Sequence, residues 1–309
     1  MKAAEIYEAA NKKNGRRPKN NLGLAYAALP TGDQTANLQK AITAYEAALR
    51  VNTEKDFSWA QTQNNLGAAY AALPTGDQTA NLGKAIAAYE VALPVRTEKD
   101  FPADWAETQN NLGAAYAALS TGDRVANLQK AIAAFETALR VRTEKDFPVN
   151  WAETQNNLGA AYAALPTGDQ TENLGKAIAA YEAALRVNTE KDWPVYWAET
   201  KNNLGAAYAA LPTRHQAGDL QKAIAAYEAA LRVNTKKDFP VAWAQTQNNL
   251  GAAYADLPTR DRAANLKSAK ACFKAALRVY TEKGFPIDHR AASAKLADVE
   301  RQLSSLTSK

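Results

Sequence analysis

Residues 154–169 read TQNNLGAAYAALPTGD, an alanine-rich helical run with two adjacent asparagines in its middle and a Pro-Thr-Gly-Asp breaker at its end. Asn-Asn-Leu-Gly recurs in six places, beginning at Asn20, Asn64, Asn110, Asn156, Asn202 and Asn248. The leucines at 22, 66, 112, 158, 204 and 250 are spaced 44, 46, 46, 46 and 46 residues apart. A fixed period of this size signals stacked repeats, so the length of 309 residues reports repeat number rather than domain number. One continuous domain over 1–309 is expected.

The unit from Phe147 to Asp192 shows what each repeat contains. After Pro148, suited to a first helical turn, Trp151, Leu158, Tyr162 and Leu165 fall on one narrow stripe of an α-helix. Pro166 and Gly168 then break that helix. A second helix starts at Asp169, whose spacing to Glu172 is that of a capping box, and its stripe runs through Leu174, Ile178, Tyr181 and Leu185. Glu182 and Arg186 stand one turn apart, in the favourable order for an ion pair. Neither helix can bury its stripe alone, so each pair must fold on itself and on its neighbours. Phe101, Phe147, Trp193, Phe239 and Phe285 precede proline at the junctions. With Trp105, Trp151, Trp197 and Trp243 four residues after the first four of these, they are expected to bury as packing groups.

Leu158-Gly159 with Tyr162, and Ala177 with Tyr181 and Ala184, resemble the first- and second-helix signatures of the tetratricopeptide repeat family. The match recurs in all six repeats, with Phe135 and Phe273 in place of tyrosine. The 46-residue unit is longer than the family's standard 34 and resembles the long-unit branch of kinesin light chains and of bacterial, especially cyanobacterial, multi-repeat proteins. The resemblance implies an all-α, right-handed superhelical solenoid of antiparallel helix pairs. Residues 1–14 align with a second helix and are expected to be an orphan of a preceding repeat or a cap; six pairs fill 15–285, and a capping helix covers 286–309. Pro94, where Arg50, Arg140, Arg186, Arg232 and Arg278 stand in the other repeats, is expected to kink or shorten its helix.

On a helical wheel centred on Trp151, Glu153 and Asn156 lie opposite the stripe and Asn157 at its flank, away from the core. The resemblance places these first helices along a concave groove, and the asparagine before Leu-Gly matches one that contacts ligand in family members with a carboxylate or peptide-backbone clamp. That carries over to Asn21, Asn65, Asn111, Asn157, Asn203 and Asn249. An amide both donates and accepts, so it can bond an extended peptide backbone whatever its side chains. The same amides could instead bond one another between repeats, since asparagine in mid-helix needs compensation. The candidate peptide-binding groove is Asn65, Glu107, Asn110, Asn111, Glu153, Asn156, Asn157, Glu199, Asn202, Asn203 and Asn249. Its charge varies along the chain: Glu107, Glu153 and Glu199 become Gln61 and Gln245 towards the ends, and Lys201 replaces a glutamine.

Chemistry for catalysis is absent from the pattern. His215 and His289 stand in unrelated contexts and Cys272 is the one cysteine, expected to be a small core residue, so no metal set or Cys/His pair is formed. Gly76 to Ala85 has six residues between its glycines where a phosphate loop has four. No catalytic residue, metal or cofactor is expected. The net charge of +5 is too weak for a nucleic-acid protein, although Lys12, Lys13, Arg16, Arg17 and Lys19 form a local basic cluster whose binding to nucleic acid would fall steeply with salt. No stretch is apolar and long enough to span a bilayer, the N-terminus lacks an apolar signal region, and a single cysteine fits a reducing compartment, so a cytoplasmic location is expected. The expected function is a non-catalytic scaffold that binds an extended peptide or a partner helix in the groove. The alternative is a structural spacer that stacks on other copies or belongs to a larger signalling protein.

Overall fold

The computed structural model describes residues 17–29, 32–52, 55–212, 215–258 and 261–307; the helix expected over 1–14 lies outside them. The described residues form α-helices joined by turns, with no strand among them. They divide into two compact units, Met1–Phe147 and Pro148–Lys309. The first holds α1 (Arg17–Ala27), α2 (Gln34–Val51), α3 (Phe57–Ala72), α4 (Gln78–Ala92), α5 (Pro102–Ala118) and α6 (Arg124–Ala138). The second holds α7 (Pro148–Ala164), α8 (Gln170–Ala184), α9 (Pro194–Ala210), α10 (Gln216–Ala230), α11 (Pro240–Asp256), α12 (Arg262–Ala276) and α13 (Pro286–Thr307). Odd-numbered helices up to α11 are the first helices of the repeats and even-numbered ones the second. Within each unit, every helix packs on the next in sequence.

The turns explain the punctuation. Gly76 and Gly168 adopt φ of 83° and 82°, a left-handed conformation that glycine alone adopts without strain. The aspartate that follows caps the second helix: Asp169 accepts from the amides of Thr171 and Glu172, and Asp77 from that of Ala80. An asparagine inside the second helix pins the same turn from below. Asn173 Nδ2 donates to the Thr167 carbonyl at 2.8 Å, and Asn81 Nδ2 to that of Thr75 at 3.0 Å. The repeated PTGD turn is therefore held by its own hydrogen bonds. At the other end of each pair, Thr189 Oγ1 donates to Asp192 at 2.7 Å and accepts from its backbone amide, and Thr97 with Asp100 repeats the arrangement.

Each pair closes around the Leu-Gly step. A Cβ built on Gly159 would lie 2.8 Å from the Tyr181 ring, and one on Gly113 would lie 2.8 Å from the Phe135 ring. Glycine is needed there because the aromatic ring of the second helix lies directly on the backbone of the first. The surrounding alanines are fully buried, among them Ala131, Ala177 and Ala223. Leu220, Ile224 and Tyr227 of α10 pack with Leu250 of α11 and with Leu257 just after it, and Cys272 joins this cluster as a partly buried apolar group. The last helix, α13, buries Val299 against Leu266, Ala269 and Phe273 of α12. Lys270 pairs with Glu300 at 2.9 Å across the same contact.

Two expectations need correction. α4 ends at Ala92, in register with the ends of α6, α8, α10 and α12 at Ala138, Ala184, Ala230 and Ala276, so Pro94 neither shortens nor breaks it. Residue 94 falls in the turn after the helix. Its equivalent Arg140 makes only a Thr137 carbonyl contact with its amide, the one bond a proline forgoes. The junction aromatics also do not all bury. Trp151 and Trp197 do, whereas Trp193 and Phe239 remain 39% and 37% exposed.

Candidate functional site

The paired asparagines of successive first helices form ladders. Asn111 Nδ2 of α5 donates to Asn64 Oδ1 of α3 at 3.5 Å, and Asn65 Nδ2 donates to Asn20 Oδ1 of α1 at 3.4 Å. In the second unit, Asn203 Nδ2 donates to Asn156 Oδ1 at 3.3 Å and Asn249 Nδ2 to Asn202 Oδ1 at 3.4 Å. In each link the second asparagine of one repeat donates to the first asparagine of the repeat before. In three repeats the first asparagine is the deeper: Asn64, Asn110 and Asn202 are buried, while Asn65, Asn111, Asn157, Asn203 and Asn249 are half-buried.

This corrects the placement of the first asparagines away from the core. A wheel with a single apolar stripe treats a helix as having one packed side, but a first helix in a stack also meets the first helices of its neighbours. The amides fill those lateral contacts, where burial demands a partner. Asn20, Asn156 and Asn248 are shallower, half-buried. The second asparagines keep part of their surface in solvent.

The three glutamates diverge. Glu107 accepts from Arg96 Nη2 at 3.1 Å and is part of an ion-paired cluster with Asp104. Glu153 is exposed and lines a small cavity of about 50 Å³ with Val149, Asn188 and Tyr196. Glu199 lines a larger cavity of about 350 Å³ together with Asn202 and Asn203. Its side chain keeps contact with solvent, but crowding by protein weakens the hydration of its carboxyl and raises its pKa above the usual range, opposed by a hydrogen bond from Asn156. Glu199, Asn202 and Asn203 are thus the members of the expected groove that the fold gathers around one cavity.

The other walls of that cavity come from places the sequence reading passed over. Val195 opens α9, Phe239 precedes α11, Gln245 and Thr246 stand on α11, and Asn234 closes the turn after α10. Val195 and Phe239 supply exposed apolar surface, whereas Thr246 is buried and bonds the carbonyl of Ala242 at 2.8 Å. The missed signal lay in the turn, not the helix. The position before its threonine reads Arg96, Arg142, Asn188 and Asn234 in four successive repeats, a change of length and charge at one site.

Among the described residues, no three His, Cys, Asp or Glu side chains converge as metal ligands, and no helix is long and apolar enough to cross a membrane.

No protein-family model matches the sequence. No curated protein matches it either. Among solved structures the chain is similar to BtubC (BKLC) from P. vanneervenii, with 22% identity and a TM-score of 0.56 over 80% of this chain and 89% of that one. It is also similar to MamA protein, with 21% identity and a TM-score of 0.45 over 72% of this chain and 93% of that one. A third similarity, to yeast Tom70, has 12% identity and a TM-score of 0.43, over 97% of this chain and 58% of that one. These identities speak for the fold alone, and of the three scores that of BtubC carries the comparison. With its paired helices and its Leu-Gly-aromatic contacts, the chain has the tetratricopeptide-type helical repeat fold.

Proposed function

We propose that the protein is a non-catalytic interaction scaffold that binds an extended peptide or a partner helix along its first helices. The observation that supports this reading is the cavity between α9 and α11, where a carboxylate, several amides and three apolar side chains meet within one open recess. Such a mixture of apolar surface with a few polar groups suits peptide recognition. The half-buried second asparagines alongside it can offer a peptide backbone both donor and acceptor, while their inter-repeat bonds fix their rotamers. A cytoplasmic location and a bacterial origin fit this reading and form part of it.

The test is selection from a displayed peptide library followed by calorimetry of the selected sequences against the purified chain. Saturable one-to-one binding is the expected result, and failure to select any sequence above background would contradict it. A second reading, a self-associating spacer, is favoured by one observation: Val149, Val195, Val241 and Ile287 follow the last four junction prolines and are exposed, Ile287 at 80%. Sedimentation velocity separates the two, because a spacer gains mass with concentration and binds no peptide.

A further inference from the structure

From a site that the chain fills itself in one unit and leaves open in the other, we infer that the cavity at Asn234 receives an arginine side chain of the bound partner. This rests on the proposed peptide-binding reading and names the partner's chemistry.

Arg96, in the turn after α4, is 1% exposed. Its Nη1 donates to Thr108 Oγ1 at 2.8 Å, and Nη2 binds the carboxylates of Asp104 and Glu107 on α5. The guanidinium lies 5.9 Å from the centroid of the Phe57 ring. Thr108 Oγ1 in turn lies 3.2 Å from Asn64 Oδ1, which joins the arginine site to the asparagine ladder. Hydroxyl, carboxylate and aromatic face together make a site fitted to a planar cation.

Three 46-residue units further on, the same positions hold Asn234 in place of Arg96, Thr246 in place of Thr108 and Asn202 in place of Asn64. Asparagine ends where the methylene stem of arginine would continue, and a cavity of about 350 Å³ stands at this position. The acceptors persist only in part: Asp104 is replaced by Ala242, which lines the cavity and removes one carboxylate. Glu107 is replaced by Gln245, but Gln61 on the preceding first helix is replaced by Glu199, so a carboxylate still lines the space from the opposite wall. Phe57, stacked on Phe101 in the first unit at 4.3 Å, is replaced by Val195, and the equivalent of Phe101, Phe239, is 37% exposed at the cavity. An apolar surface is thus available to a methylene stem and an aromatic face to a guanidinium. The charge balance agrees: the chain's own cation is gone while one carboxylate remains.

The test uses blocked short peptides, degenerate at the flanking positions, with the central residue fixed as arginine, citrulline, lysine or alanine. Each is titrated into the parent chain, Asn234→Arg and Glu199→Gln. The parent is expected to bind arginine peptides at least about ten-fold more tightly than citrulline peptides, with lysine between, because citrulline keeps the shape and loses the charge. Asn234→Arg, which restores the residue that the same turn accommodates at 96, is expected to fold as the parent does and to lose the arginine preference while keeping the residual affinity seen with alanine peptides. Glu199→Gln, of equal size, is expected to shrink the preference without changing helicity. Equal affinity for arginine and citrulline, or an unchanged preference in Asn234→Arg, would overturn the inference and leave the groove reading standing. Failure of every peptide to bind would overturn both. Free arginine bound as tightly as the peptides would also overturn it, by making the site one for a small molecule.

Discussion

At the scale of single residues, the two asparagines of each repeat do different work. Asn202 is buried and accepts from Asn249, so Asn202→Ala deletes a buried amide, opens a void between the first helices and takes the partner from Asn249; a loss of about 1–3 kcal/mol is expected. Asn203 is half-buried and donates to Asn156, which is itself half-buried, so water can take the place of the lost donor and Asn203→Ala should cost less, about 0.5–1.5 kcal/mol. Urea unfolding of the two variants checks the order, and equal losses would contradict the division of roles. Glycine offers a sharper case. Gly→Ala in a helix ordinarily stabilises by about 1 kcal/mol, yet at Gly159 the added methyl meets the Tyr181 ring, and Gly159→Ala should instead destabilise by about 1–3 kcal/mol in the same measurement. The Leu-Gly-aromatic signature was legible in the sequence, because a glycine repeated inside an alanine-rich helix asks for a close approach. The burial of Asn64, Asn110 and Asn202 was not, because helical periodicity reports one packed face and the lateral neighbours of a first helix come from residues more than forty positions away.

At the scale of elements, boundaries were readable wherever a local rule sets them. Asp77 and Asp169 cap second helices, and Pro102 and Pro240 occupy first turns. Pro94 lacks a backbone donor, which would matter inside a helix, but its position lies in the turn after Ala92. Contacts between helices of different repeats were hidden from the sequence. Tyr70 donates to Glu46 at 2.7 Å and Tyr116 to Glu90 at 2.7 Å, with Lys84 and Lys130 of their own repeats over the rings. Tyr208 and Tyr254 repeat the bond to Glu182 and Glu228 at 2.8 Å. Burial first, and then the glutamate that accepts each phenolic proton, pushes these four hydroxyls up to about 12. A tyrosine whose pKa is raised on folding stabilises fully below its unfolded value near 10 and loses that contribution as pH rises through the folded value. Helicity is therefore expected to hold to about pH 10 and to fall between about pH 10 and 12, in step with tyrosinate absorbance. The variant with all four changed to phenylalanine should show a shallower loss of urea stability across that window.

At the scale of the whole molecule, the six-fold recurrence of Asn-Asn-Leu-Gly and the spacing of its leucines carried the fold, since a period can be read without knowing any contact. The site was legible only in part. Glu199, Asn202 and Asn203 could be nominated from one helix, but Asn234 and Phe239 reach the same cavity from a turn and a junction, and only the packing of α9 against α11 brings them together. What the repeats share builds the scaffold; where they differ, at 96 and 234 or at 61 and 199, they vary the lining of equivalent sites. Amide hydrogen exchange of the chain, with and without the tightest peptide from the library, tests the proposed receptor role most directly. Slowed exchange confined to α9, α11 and the turn at 231–239 is expected, since a peptide in the cavity should suppress opening there first. Protection confined to the second helices, or none at saturating peptide, would contradict it.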